Sequence, residues 1–287
     1  MSGGDPAGLP LFGSVELAAD IERAEAGLMA ACAEVCGLTD HLALPIGGGW
    51  ATYCGVDSPF TKVAGLGFAP APTDAELARV EAEFGARGAA VTIELATLAG
   101  PQLGERLTAR GYRLIGVEDV LGVALPAAVT QPASVDVAVT DDLDAWIDAD
   151  VRGTLAADAD GVPNHDDFAA DAITTALREL LAAGTQPYLA TRGGVPAGAG
   201  SLRLAGRIAQ LTGASTIPAH RREGVQTALL AARLRDAHAA GCEIAVVTTQ
   251  PGSTSQRNVR RAGFALLYSR MILSRPVGEA EAPAARA

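Results

Sequence analysis

The sequence predicts an α/β protein built from two copies of one unit, each a twisted mixed sheet flanked by helices. Three observations lead there. Segments with apolar residues at helical spacing are interspersed with short apolar or alternating runs bounded by glycine. Gly100 and Gly252, Gly111 and Gly263, and Tyr112 and Phe264 all share one offset of 152 residues, with Leu77 opposite Leu229. The 287 residues suffice for two units of ordinary domain size. The boundary falls near the proline-containing segment 126–132, giving units over 12–127 and 133–275 and a disordered tail over 276–287.

In the first unit, residues 15–36 read as a helix, followed by strand-like runs with glycine breaks around 42–54 and 62–68. Residues 73–87 form a helix with Thr73 or Asp74 as its N-cap and Gly88 as its stop. A strand over 91–95, a helix over 101–110 and an extended run over 112–125 complete it. The second unit has a strand at 135–139, helices near 143–155 and 169–183, and strands at 188–192, 197–204 and 207–211. A long helix over 225–240 stops at Gly241. A buried strand (244–249), a helix (255–262) and a final strand (265–273) follow.

A hydrophobic content of 49% excludes wholesale disorder, and only 4% aromatics means a core of Ala, Val, Leu and Ile. The net charge of −11 argues against a general nucleic-acid binder. Residues 1–11 carry neither Lys nor Arg and no apolar run, unlike a secretory signal. No stretch approaches the roughly 18–20 apolar residues of a membrane span. Cys32, Cys36, Cys54 and Cys242 are too scattered for a disulfide framework and read as small buried residues. No metal site is expected, and the expected location is cytoplasmic.

Charge is unevenly distributed. Residues 136–171 hold eleven Asp and one Arg, whereas 201–275 hold eleven Arg against three acids. An acidic chain that gathers arginine in one segment suggests a polyanionic ligand there. Arg233 and Arg235 read as solvating a helix face, but Arg221 and Arg222 stand in a different setting.

That setting is a strand running into Ser215, Thr216, Ile217 and Pro218, a tight loop through Arg221, Arg222, Glu223 and Gly224, and then an Ala/Leu-rich helix. The first turn of a helix has N–H groups without intrahelical partners and a positive dipole end. Gly224 is read as removing the side chain where a ligand approaches the backbone, with the two arginines adding charge. The absence of a Gly-x-x-x-x-Gly-Lys-Ser/Thr loop disfavours a nucleotide-binding enzyme.

Arg221-x-x-Gly224-x-Gln226, preceded by Pro218 and followed after one further helix by Gly263-Phe264, resembles the GNAT (GCN5-related N-acetyltransferase) superfamily. The resemblance covers about 133–275 well and 15–125 more faintly. Its motif is Arg/Gln-x-x-Gly-x-Gly/Ala, so Gln226 is a departure that either contacts the cofactor or restricts its path.

The resemblance implies direct acyl transfer from acetyl-CoA to an amine in a ternary complex. Backbone amides of Arg222, Glu223, Gly224, Val225, Gln226 and Thr227 would hold the diphosphate, and the edge at Ser215, Thr216 and Ile217 would pair with the pantetheine arm. An amide on that strand would polarise the thioester carbonyl. Asn258 would contact the cofactor or, alternatively, face solvent. Many relatives place a tyrosine acid where this chain has Val259. His165, Asp166 and Asp167 are candidate bases in the segment where the family binds its acceptor, but no catalytic residue is assigned. His220 sits in the anion loop and His238 on a helix.

The acidic segment suggests a cationic acceptor, a small molecule or a peptide N-terminus; the alternative is that its aspartates are caps and solvated faces. At the repeat offset, Pro70 and Pro72 stand opposite Arg222 and Gly224 and lack N–H donors, so the first unit is expected not to bind CoA. A tandem chain is compatible with a monomer or a homodimer. A second functional reading is an acyl-CoA-binding regulator without turnover, motivated by Val259.

Overall fold

The computed structural model describes residues 11–156, 162 and 168–277. Helix α1 (Val15–Val35) opens the chain, capped by the Ser14 hydroxyl, which accepts from the Leu17 N–H. Strands β1 (Leu42–Ile46), β2 (Gly49–Tyr53) and β3 (Lys62–Leu66) follow, then α2 (Asp74–Ala86), β4 (Val91–Ala96), α3 (Pro101–Ala109) and β5 (Arg113–Ala124). The second half begins with β6 (Asp136–Val139), α4 (Leu143–Leu155), α5 (Ala170–Ala182), β7 (Gln186–Arg192), β8 (Val195–Ala205) and β9 (Ile208–Gln210). It continues through β10 (Ala214–Thr216), a 3-10 turn (Pro218–His220), α6 (Val225–Ala239), β11 (Ile244–Thr249), α7 (Thr254–Arg261) and β12 (Ala265–Arg275).

The repeat survives as structure. Shifting α2, β4, α3 and β5 by 152 residues lands them within a residue or two of α6, β11, α7 and β12. The two halves nonetheless share one sheet, in the order β1-β2-β3-β4-β12-β5-β11-β9-β8-β7-β6. Each half's last strand is exchanged. Strand β5 inserts between β11 and β12, pairing Ala124 with Ile244 and Gly116 with Ile272, while β12 pairs with β4 from Arg270↔Ala96 to Arg275↔Val91.

Helices cover both faces. Trp146, Ala149 and Leu177 of α4 and α5 pack on Ala199 of β8, while α6 packs Ala228, Leu229 and Ala232 with Phe264 and Ala245. On the α4/α5 side α1 spans the junction, with Leu17 and Ile21 against Val246 and Tyr268 and with Met29 and Ala33 against Ala64 and Ala176. All four cysteines are free and buried. No helix among the described residues is long and apolar enough to cross a membrane.

Candidate functional site

Strands β9 and β11 run parallel for three rungs, Ile208↔Ile244, Ala209↔Ala245 and Gln210↔Val246, closed by the Leu211 N–H on the Val246 carbonyl at 2.9 Å. The chain then turns through Gly213, whose φ of +65° suits glycine, and β10 pairs only with β8. Strand β11 continues to Thr249 with β5 on one side and, among the described residues, no strand on the other. A wedge therefore opens at the centre of the sheet. In the first half the corresponding strands stay together, with Val63 opposite Ile93 and Leu66 opposite Leu95.

Arg233 holds the wedge. It is 1% exposed, donates Nη1 to the carbonyls of Ser201 (3.1 Å) and Gly213 (3.0 Å), and donates Nε to Leu229 (3.1 Å). Gly200 makes room, since a Cβ there would stand 3.2 Å from the guanidinium carbon. The Ser201 hydroxyl donates to the Thr212 carbonyl on the same turn. The expectation that Arg233 solvates a helix face is overturned, because α6 is buried nearly all round and leaves Arg233 no solvent to face. Burial lowers its pKa to about 10, still above neutrality. Arg235 is exposed and pairs with Asp236, as a solvated residue should.

Backbone direction decides which groups of β10 are available. The Ile217 N–H donates to Ala197 and the Gly213 carbonyl accepts from Ser201, so alternation turns the Ser215 backbone toward β8 as well. Thr216, together with Ala214, presents its N–H and carbonyl to the wedge. Of Ser215, Thr216 and Ile217, only Thr216 thus offers the arm-pairing edge anticipated from the sequence. Gln226 bends back and donates Nε2 to the Ala214 carbonyl at 3.3 Å, leaving its Oε1 buried without a donor.

Beside the wedge lies the start of α6. Gly224, at φ +84°, is its N-cap and supplies no side chain, and the Ala228 N–H makes the first helical bond to the Gly224 carbonyl. The N–H groups of Val225, Gln226 and Thr227 therefore point out of the helix uncapped, whereas α1, α2, α4 and α7 are each capped by a side chain. A Cβ on Gly224 would meet the Pro132 ring at 2.9 Å. The glycine thus serves its left-handed backbone and this contact, rather than clearing space toward a ligand.

The two loop arginines diverge. Arg221 donates Nη2 to the carbonyls of Gly153 and Ala156 at the end of α4, at 3.2 and 2.5 Å. Arg222 is exposed, at φ +65°, and no described acid or carbonyl engages its guanidinium. Glu223 is exposed and pairs with Arg192 at 2.9 Å, while Thr227 is exposed and Val225 is buried in the α6 core.

Residues 151–264 match the sequence profile of the acetyltransferase (GNAT) family. This segment contains the wedge and the bare helix start. It is a GNAT domain. Solved structures similar in fold include a GCN5-related N-acetyltransferase from Kribbella flavida, 20% identical, with a TM-score of 0.61 over 88% of this chain and 96% of that one. A tandem GNAT protein from the clavulanic acid biosynthesis pathway is 14% identical, with a TM-score of 0.58 over 95% and 99% of the two chains. A GCN5-related N-acetyltransferase from Sphaerobacter thermophilus is also 14% identical, with a TM-score of 0.53 over 93% and 95%. No curated protein matches the chain. The likeness in fold to that tandem GNAT protein supports the two-unit arrangement of the fold.

Within the GNAT domain, Asn258 is half-buried on α7 and forms no side-chain hydrogen bond with the described residues. Val259 points into the α6 core beside Phe264. His220 is half-buried with Nδ1 lacking a partner, and His238 is exposed. His165, Asp166 and Asp167 lie outside the described residues, as does most of the acidic loop. No group of acids, histidines or cysteines among the described residues has the arrangement of a metal site.

Sequence reading missed Asp150, which lies against β10 from α4 and is buried. Its carboxylate accepts from the Thr154 hydroxyl at 3.1 Å, and burial pushes its pKa up to about 6. The folded state therefore favours the protonated form. This contribution to stability is complete below the unfolded pKa near 3.8 and is lost as pH rises through 6. Asp150→Asn should thus gain on the parent as pH is raised from 5 to 8, by about 1.4 kcal/mol at most, since only the last unit of the shift falls in that range. Urea midpoints at the two pH values check this, and an equal difference at both would refute it.

The equivalent helix start in the first half is closed by its own chain. The Thr73 hydroxyl accepts from the Glu76 N–H, and the Glu76 carboxylate accepts from the Thr73 N–H at 2.7 Å. Asp74 stands in the first turn, paired with Arg106.

Proposed function

We propose that the chain is an acyl-CoA-dependent N-acyltransferase that uses acetyl-CoA, with the GNAT domain as its catalytic half. The uncapped start of α6 opening beside the β10/β11 wedge carries this reading. A diphosphate suits the N–H groups of Val225, Gln226 and Thr227 and the unengaged Arg222 guanidinium. An extended arm with amide groups suits the outward edge of Ala214 and Thr216, and the donor-less Gln226 Oε1 is a ready acceptor for one of its N–H groups. The thioester supplies an activated acyl carbon. The chain's part is to align it, to offer the outward N–H groups to its carbonyl oxygen, and to move protons.

A second reading, an acyl-CoA-binding regulator without turnover, is favoured by Val259, which places a hydrocarbon where many relatives place a phenol. Thiol release from acetyl-CoA on adding amines separates the two readings.

Only one half has both a wedge and a bare helix start, so calorimetry should give one CoA per chain. Two equivalent sites would overturn the assignment of the first half as non-binding, and none would overturn the whole reading.

A further inference from the structure

On the α1 side of the wedge lies a charged cluster contributed by both halves. Gln210, on the last rung before the strands part, is 3% exposed and donates Nε2 to Glu25 of α1 at 3.0 Å. Its Oε1 accepts from Arg203 at 2.6 Å, and Arg203 also holds the Ala24 carbonyl, fixing α1 over this point. One turn earlier on α1, Glu22 is 1% exposed. Its Oε1 accepts from the Tyr268 hydroxyl at 2.6 Å and from Arg270 Nε at 2.7 Å, but its Oε2 is buried with no donor.

The cluster reaches the opening. Arg270 Nη1 lies 3.4 Å from the Thr248 hydroxyl. Ile244 and Val246, which share Thr248's side of β11, pack into the α1 core, yet Thr248 itself is exposed in the middle of the sheet. The parted strands uncover it. A buried carboxylate oxygen without a donor is costly unless a donor arrives, and a primary ammonium group brings three. Glu25 is half-buried, and its only described hydrogen bond is the one from Gln210.

We propose that Glu22 and Glu25, carried on α1 of the first half, receive the ammonium group of a cationic acceptor at the open side of the wedge, with Glu25 taking its proton. This rests on the acyltransferase reading and supplies the base that reading lacks. Glu25 removes one proton from the ammonium, freeing the nitrogen lone pair. The nitrogen bonds to the acyl carbon, the carbon–sulfur bond breaks, and the nitrogen's second proton passes to the departing sulfur. Glu25 then returns its proton to water. The half without a cofactor site thus carries acceptor-binding groups.

The test uses the full chain, acetyl-CoA, and two acceptor probes: spermidine, which is cationic, and p-anisidine, which is uncharged at pH 7.5. Glu25→Gln should lower kcat/KM for spermidine at least a hundredfold at pH 7.5, with acetyl-CoA affinity within twofold of the parent. The loss should shrink at pH 10, where the amine sheds its own proton, and p-anisidine should be affected less than tenfold. Unchanged spermidine turnover in Glu25→Gln overturns the proposal, as does a parent that binds acetyl-CoA but turns over only p-anisidine or neither amine. A parent that fails to bind acetyl-CoA removes the acyltransferase reading, and this inference falls with it.

Discussion

Arg222→Glu should weaken CoA binding by at least about thirtyfold while leaving thermal stability nearly unchanged. Its guanidinium is exposed and meets no described partner, so the folded protein loses little when it goes. The diphosphate loses a charge-assisted contact, worth roughly 1.5–3 kcal/mol, and meets a carboxylate in its place. Arg222→Gly separates charge from backbone. The left-handed φ of +65° costs a side-chain-bearing residue about 1–2 kcal/mol, so the glycine variant should be no less stable than the parent. It should still bind CoA about tenfold more weakly. Calorimetry and thermal denaturation on the three proteins check this, and full affinity in Arg222→Glu would refute the anion site.

Arg233→Met is expected to discriminate between the two ends of the cofactor. The substitution leaves the Ser201 carbonyl without this buried donor and the Gly213 carbonyl with only the Ser201 N–H at 3.4 Å, at a cost of roughly 1–3 kcal/mol. The turn that carries β10 away from β11 should then relax. Binding of 3′-phospho-ADP, which needs only the helix start, should change less than about threefold, whereas binding of CoA, which also needs the wedge, should fall at least about tenfold. Equal losses for both ligands would show that Arg233 acts on stability alone. Arg233→Lys provides the control, with one donor restored and part of the difference recovered.

Much of this architecture was legible in the sequence, and for physical reasons. Periodicity and stop signals located nearly every element, because helix and strand repeats are local. The shared offset of Gly111 and Gly263 exposed the duplication, and the glycine beside paired arginines marked the helix start. Other features depend on which strands meet. Nothing local in residues 113–124 tells β5 to enter the other half, since an alternating apolar pattern fits either neighbour equally. The parting of β9 and β10 was hidden in Gly213, to which sequence reading gave no role although glycine beside a strand can signal a bulge.

Arg233 was misplaced although a usable signal existed. From Ala228 to Ala232 the helix is apolar on every side, and a helix of that kind is buried, the adjoining Arg233 included. Arg221 and Arg222 are adjacent in sequence, but the left-handed backbone at Arg222 turns one side chain toward α4 and leaves the other in solvent. Glu22 and Glu25 lie in the half expected to be inert, where no motif drew attention to them.

The exchanged strands set an order on biosynthesis. Strand β4 takes β12 as its neighbour, and β12 leaves the ribosome long after it. From the emergence of β4 until residues 265–275 follow and slot in, that sheet edge lacks its native partner. The protein therefore completes its fold after synthesis of both copies, and a ribosome stalled before that point would display a nascent chain primed to capture strands from its neighbours.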